Sequence, residues 1–205
     1  MKMQLLSYFL LGAAISTLLQ KCSDLIPKRY QLLLSLLTGF LFCFAGRFAP
    51  WGSRLILVWI FLIGLMAETC VDFRQKVILD EVLLLLFIAG LAYIITGGEV
   101  WQESLLGALA GSALLGLIFY FSNGGMGFGD VKFAGVLGIW TGFPGILVCL
   151  FLAFFIGGME ALILCVTHKA TMKSRIPFGP CLSAGAVLSF FYSARILDWY
   201  WSLFL

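Results

Sequence analysis

Long apolar runs alternate with short polar breaks along this chain, and the breaks hold most of its charge. Apolar stretches over residues 5–19, 32–45, 55–71, 82–96, 104–121, 133–141, 146–166 and 177–197 predict eight membrane-spanning helices. Several fall short of the roughly 20 residues that an untilted span needs, which local bilayer thinning or burial around a wet site accommodates. The shortest, 133–141, gains length from Val131, Gly142 and Phe143, and Pro144-Gly145 make the turn into the next. The first run follows Lys2 as the apolar part of a secretory leader would, but Lys21, Lys28 and Arg29 come after it. That basic flank predicts an uncleaved first span. Small residues four apart (Gly12 with Ser16, Gly107 with Gly111, Gly138 with Gly142) predict close helix contacts.

The breaks also set orientation. One alternate set (Lys21, Lys28, Arg29, Arg74, Lys76, Lys132, Lys169, Lys173 and Arg175) carries nine basic residues, against four (Lys2, Arg47, Arg54 and Arg195) in the other. The richer set is cytoplasmic by the positive-inside rule. The expected fold is thus an all-α polytopic membrane protein of about eight transmembrane helices with both termini outside.

Composition agrees with that picture and narrows it. Of 205 residues, 62% are hydrophobic and 11% charged, outside the range of soluble domains. The expected organisation is one integral-membrane domain over 1–205, with a two-helix region in 1–54 and both acidic motifs in 55–205. A net charge of +3 gives no reason to expect a nucleic-acid partner; the lipid bilayer is the expected one. Cysteines 22, 43, 70, 149, 165 and 181 contain no Cys-x-x-Cys pair and fall mostly in apolar runs. Neither a zinc site nor disulfides are expected. No cofactor or metal is called for.

Two acidic positions stand out. Gly124-Gly125-Met126-Gly127-Phe128-Gly129-Asp130-Val131-Lys132 is a glycine-dense turn ending in a carboxylate between two apolar segments. Asp72 occupies a similar place after the third run, and both fall on the cytoplasmic face. Ionisable groups at the mouth of membrane helices usually mark function. Two carboxylates within a few ångströms do not both ionise cheaply and come to share one proton. The ionised partner then takes a proton from water while the protonated one polarises a peptide carbonyl. The plainer reading makes them interfacial anchors, Asp72 paired with Arg74 or Lys76 and Asp130 with Lys132. A serine mechanism lacks a base, since the one histidine, His168, sits in a basic loop. Glu68, four residues before Asp72, shares its helix face and either tunes the pair or bonds across the bundle. Glu160 lies within the seventh run and needs a proton or a partner, for which Lys132 is the candidate.

The run Met126-Gly127-Phe128-Gly129-Asp130-Val131-Lys132 resembles the GxGD signature of the type IV prepilin leader peptidases. Val71-Asp72-Phe73-Arg74 with Ile78-Leu79-Asp80 resembles that family's first-aspartate segment, with Leu79 where a proline is usual. Arg29-Tyr30 with 37–42, 105–111 and Ile176-Pro177-Phe178-Gly179-Pro180 agree in the right order. The resemblance implies that Asp72 and Asp130 are the catalytic pair, supported by Gly127, Gly129, Lys132, Glu68, Pro177 and Gly179. It implies an aspartic endopeptidase of the bacterial inner membrane, multi-pass, working at the cytoplasmic face. The substrate would be the basic leader of a type IV prepilin or pseudopilin, cut after a glycine for pilus, competence or secretion-system assembly. Many members also carry a large loop with zinc-binding cysteine pairs after the first span and methylate the new N-terminus. Here about a dozen residues, 20–31, stand there with Cys22 alone, and 15–20 depart from the usual first-span pattern. A peptidase without methyltransferase activity is therefore expected. The presenilin and signal-peptide-peptidase kind shares GxGD, but Val71 stands where those have Tyr and their Pro-Ala-Leu motif is missing. A non-catalytic scaffold or small transporter is the rival of another class.

Overall fold

The structure is a computed structural model, and it describes residues 2–23, 28–48, 52–122, 125–167 and 177–203. These form seven helices and no strand: α1 (Lys2–Ser23), α2 (Lys28–Phe48), α3 (Ser53–Gln75), α4 (Asp80–Ile95), α5 (Trp101–Phe121), α6 (Phe128–Val166) and α7 (Gly179–Ser202). Of these, α3, α5, α6 and α7 are long and apolar enough to cross a bilayer. With so much apolar side chain left exposed on their outer faces, the protein is an integral membrane protein.

Helices run past the apolar stretches that predicted them. α3 continues through Asp72, Phe73, Arg74 and Gln75 and stops at Lys76, whose left-handed backbone (φ 54, ψ 39) lets its N–H bond back to the Asp72 carbonyl at 2.9 Å. Asp72 therefore belongs to the last turn of α3, where the polar segment alone put it beyond the helix. α6 likewise begins at Phe128, so Asp130 sits in a helical first turn.

α6 is two arms in one continuous run. Gly142 (φ 69, ψ 178) breaks the helix with a backbone conformation that favours glycine, and Pro144 follows it. On the first arm, a Cβ at Gly111 of α5 would lie 2.6 Å from the Ala134 carbonyl. The same Cβ would lie 3.0 Å from Ile146 on the second arm, so the second arm returns beside the first. It then packs on α7: the Ser189 hydroxyl donates to the Gly145 carbonyl, and Gly185 lies against the Cys149 carbonyl. The expected separate spans 133–141 and 146–166 correspond to these arms.

Two clusters hold the bundle. The larger ties α3, α4, α5, α6 and α7 together and includes Trp140, which stacks on Phe61 (4.5 Å) and Tyr93 (5.2 Å) and donates to the Leu86 carbonyl at 3.0 Å. The smaller joins α1 and α2 to the first half of α3 through Tyr8, Phe42, Ala45, Leu55, Val58 and Leu62. α1–α2 thus braces the end of α3 remote from Asp72.

Candidate active site

Asp72 and Asp130 come from helices far apart in sequence and are both buried, 4% and 9% exposed. They are close enough for the Asp72 charge to act on Asp130. The structure therefore brings together the pair singled out in the sequence, and it shows how each is held.

Asp72 Oδ2 accepts the backbone N–H of Gly179 at 2.7 Å. Gly179 is the first residue of α7, whose N-cap residue, Phe178, offers no side-chain acceptor. Asp72 thus satisfies one of α7's unpaired N-terminal donors from across the bundle. The approach is so close that a Cβ at position 179 would lie 2.7 Å from that oxygen and 3.1 Å from the Asp72 carboxyl carbon. One turn earlier on the same face, Glu68 does the corresponding service for α4: its Oε2 accepts the N–H of Leu79, the N-cap residue, at 3.2 Å. Glu68 is fully buried, and its Oε1 has no hydrogen-bond partner among the described residues.

Asp130 stands in the first turn of α6, where its backbone N–H bonds to the Gly127 carbonyl at 3.2 Å. A Cβ at Gly127 would lie 3.4 Å from Asp130 Oδ2. One at Gly129 would press on Ile78 at 3.0 Å, so this glycine lets the α3–α4 connection lie flat on the turn. The N-termini of α4, α6 and α7 thereby converge on the acidic end of α3. Their partial positive charges favour carboxylates there.

The remaining candidates divide. Lys132 pairs with Asp80 at 2.9 Å and lies 5.7 Å over the Phe128 ring. It pairs with neither Asp130 nor Glu160, because the first turns of α4 and α6 are neighbours and Asp80 is within its reach. This corrects the Lys132–Glu160 expectation; Glu160 instead accepts a weak bond from the Cys181 thiol at 3.7 Å. The Lys76 charge acts on Asp72, so the anchor pairing for Asp72 is in part realised. Pro177 leads into α7, and the contact to Asp72 is made by Gly179. Cys43, Cys70, Cys149, Cys165 and Cys181 are free thiols. His168, Lys169, Lys173, Arg175, Gly124 and the side chains of Cys22, Arg29 and Tyr30 lie outside what the structure describes.

Sequence reasoning missed the two capping bonds from α3 and the Asp80–Lys132 pair. Asp80 and Glu81 opening a helix directly after the Asp72 segment were a signal that this end of α4 faces the site.

Taken together, these features define a polytopic helical membrane protein whose buried aspartate pair is presented at converging helix ends. Residues 55–162, more than half of the chain and including both aspartates, match the type IV leader peptidase family. Relatives that the chain matches carry the name prepilin leader peptidase/N-methyltransferase. That of Aeromonas hydrophila is 30% identical over 194 residues, covering 90% of this chain and 65% of its own. That of Bacillus subtilis is 30% identical over 167 residues (80% and 67%), and that of Pseudomonas aeruginosa 28% over 205 (96% and 68%). The chain belongs to the type IV leader peptidase family. It spans about two thirds of the length of these relatives. No solved structure matches it.

Proposed function

We propose that the protein is a membrane aspartic endopeptidase that removes the leader of a type IV prepilin or pseudopilin after a glycine. The observation that carries this reading is the buried Asp72 and Asp130 on α3 and α6, with the Asp72 charge acting on Asp130 and the α7 backbone holding Asp72. In the proposed reaction one carboxylate takes a proton from water as the water oxygen attacks the scissile carbonyl. The other, protonated, donates to the carbonyl oxygen. Collapse of the tetrahedral intermediate expels the new amine, which leaves with a proton from the pair. Glu68, Gly127, Gly129, Lys132, Pro177 and Gly179 hold the pair and its surrounding turns and are not part of the proton exchange.

In this reading the whole chain is one domain. α1 and α2 are a two-helix N-terminal region, 1–54, bracing the catalytic core, 55–205. Eight crossings, counting the arms of α6 separately, put both termini outside a bacterial inner membrane and the aspartates at its cytoplasmic face. The nine-to-four bias of basic residues supports that orientation.

The test is cleavage of a prepilin from the same genome in detergent or vesicles. The wild type is expected to cut after the leader glycine, and Asp72→Asn and Asp130→Asn each to lower the rate about a thousandfold or more. Cleavage that persists in both variants would overturn the assignment. The short connection between α1 and α2, without cysteine pairs, supports peptidase activity alone. Purified protein given prepilin and a methyl donor is expected to leave the new N-terminus unmethylated, and label transferred to it would refute this.

A further inference from the structure

A second site lies at the end of the bundle away from the aspartates. Eighteen residues of α3 separate Arg54 from Asp72, about 27 Å along the helix. That is close to the thickness of a bilayer's hydrocarbon core, roughly 30 Å. Around Arg54 the first turn of α3, the end of α4, the Gly142 turn and the second half of α7 enclose a cavity of about 510 Å³.

Its lining holds opposite charges, Arg54 and Glu99, that do not pair with each other. The Arg54 Nε donates to the Thr96 carbonyl at 2.6 Å, and one Nη lies 3.0 Å from where a Cβ at Gly97 would be. Those contacts fix the guanidinium against the end of α4 with donors left over. Glu99 lies across the cavity, its Oε1 3.2 Å from the Cβ position of Gly142. Among the described residues the two make no ion pair, yet both charges act on the Tyr93 hydroxyl. Burial, and then the neighbouring Glu103, push the Glu99 carboxyl above the usual carboxylate range, against a smaller opposite pull from the Val100 backbone. Among the described residues Glu99 thus has no cation partner in a place where one would be favoured. Thr141 and Ser193 add polar lining, and Val58, Trp140, Phe190 and Leu197 give the wall its apolar surface.

We propose that this cavity is a binding site for a zwitterionic glycerophospholipid with a primary ammonium headgroup, of the phosphatidylethanolamine type. The phosphate meets Arg54, whose fork suits it, and the ammonium meets Glu99 with N–H donors to give. The start of an acyl chain lies on the apolar wall. A phosphatidylglycerol headgroup would satisfy Arg54 and leave Glu99 without a cation. A phosphatidylcholine headgroup brings a cation that donates no hydrogen bond.

The experiment is native mass spectrometry on the full chain purified in a neutral detergent. Phosphatidylethanolamine, phosphatidylcholine and phosphatidylglycerol with matched chains are offered in competition. The wild type is expected to retain the ethanolamine lipid about fivefold or more over each of the others, as a hydrogen bond to a charged group implies. Glu99→Gln should erase its advantage over phosphatidylglycerol, and Arg54→Gln should lower retention of all three. Equal retention by the wild type, a preference for choline or glycerol, or an ethanolamine preference that survives both substitutions would overturn the proposal. The wild-type series decides even if a variant does not fold. Lipid retention is read without any cleavage, so failure here and failure of the peptidase reading are separate outcomes.

Discussion

At Gly179 a missing side chain matters more than any side chain nearby. A Cβ there would sit 2.7 Å from Asp72 Oδ2, and the atoms it would meet include the carboxyl carbon and Cβ of Asp72, close to the α3 backbone. Gly179→Ala therefore has to displace the carboxylate and lose the 2.7 Å bond from the α7 backbone. Hydrogen bonds to charged groups contribute about 1.5–3 kcal/mol, so cleavage should fall about 10- to 100-fold. Gly158→Ala is the matched control: nothing lies within 4 Å of its Cβ position, and it sits exposed on the second arm of α6. It should keep full activity and raise helix stability by up to about 1 kcal/mol. Rates and melting curves for the two variants check this, and equal activity would remove Gly179 from the site.

The sequence singled out the acidic positions that the structure buries at converging helix ends, but not what they touch. Asp72 and Asp130 stood out because ionisable groups at the ends of apolar runs demand a reason. Glu68 was visible as a residue on the same face, with its role open between tuning and bonding across the bundle. The structure gives it the second, a bond to Leu79. Lys132 was assigned by sequence proximity to Asp130 and by charge to Glu160, yet Asp80, 52 residues away, holds it. Local spacing fixes faces of one helix, whereas partners across helices depend on packing that a single sequence does not express.

At the scale of elements, apolar runs located the helices and shortened them. Hydrophobicity reports contact with lipid, while a helix continues wherever its backbone bonds continue. α3 thus extends to Gln75 and α6 starts at Phe128, each taking in an aspartate. The reversal inside α6 was legible, because Gly142 and Pro144-Gly145 interrupt an apolar stretch. The small-residue spacings were legible too: Gly107 and Gly111 of α5 do face Gly138 and Ala134 of α6. This contact positions Asp130, since the first arm of α6 is seated by it. A Cβ at Gly111 would meet the Ala134 carbonyl, a backbone atom that cannot swing aside. Gly111→Ala is expected to destabilise the protein by about 1–3 kcal/mol or more, as overpacking does. Gly116→Ala, one turn and a half further along α5, would meet only Val131 at 3.8 Å and should leave the unfolding temperature in detergent unchanged or higher. Similar melting of both variants would mean that the two helices separate easily.

For the whole molecule, the orientation proposed for the membrane has consequences at both ends. Gln75, at the end of α3 beside Asp72, and Val100, before α5 on the opposite end, are both exposed. About 27 Å of α3 separates the two levels, too far for one aqueous face to reach both. If the positive-inside bias governs insertion, Gln75 faces the cytoplasm together with the aspartates and Val100 faces outward. With the six native cysteines replaced by alanine, Val100→Cys should react with a membrane-impermeant maleimide in intact spheroplasts. Gln75→Cys should react only after the membrane is opened. The reverse pattern would place the aspartate pair outside, where a substrate leader still in the cytoplasm could not meet it. Labelling of both from the outside would mean that α3 does not cross, and the proposed peptidase would lose its membrane-face geometry whatever its rate in detergent.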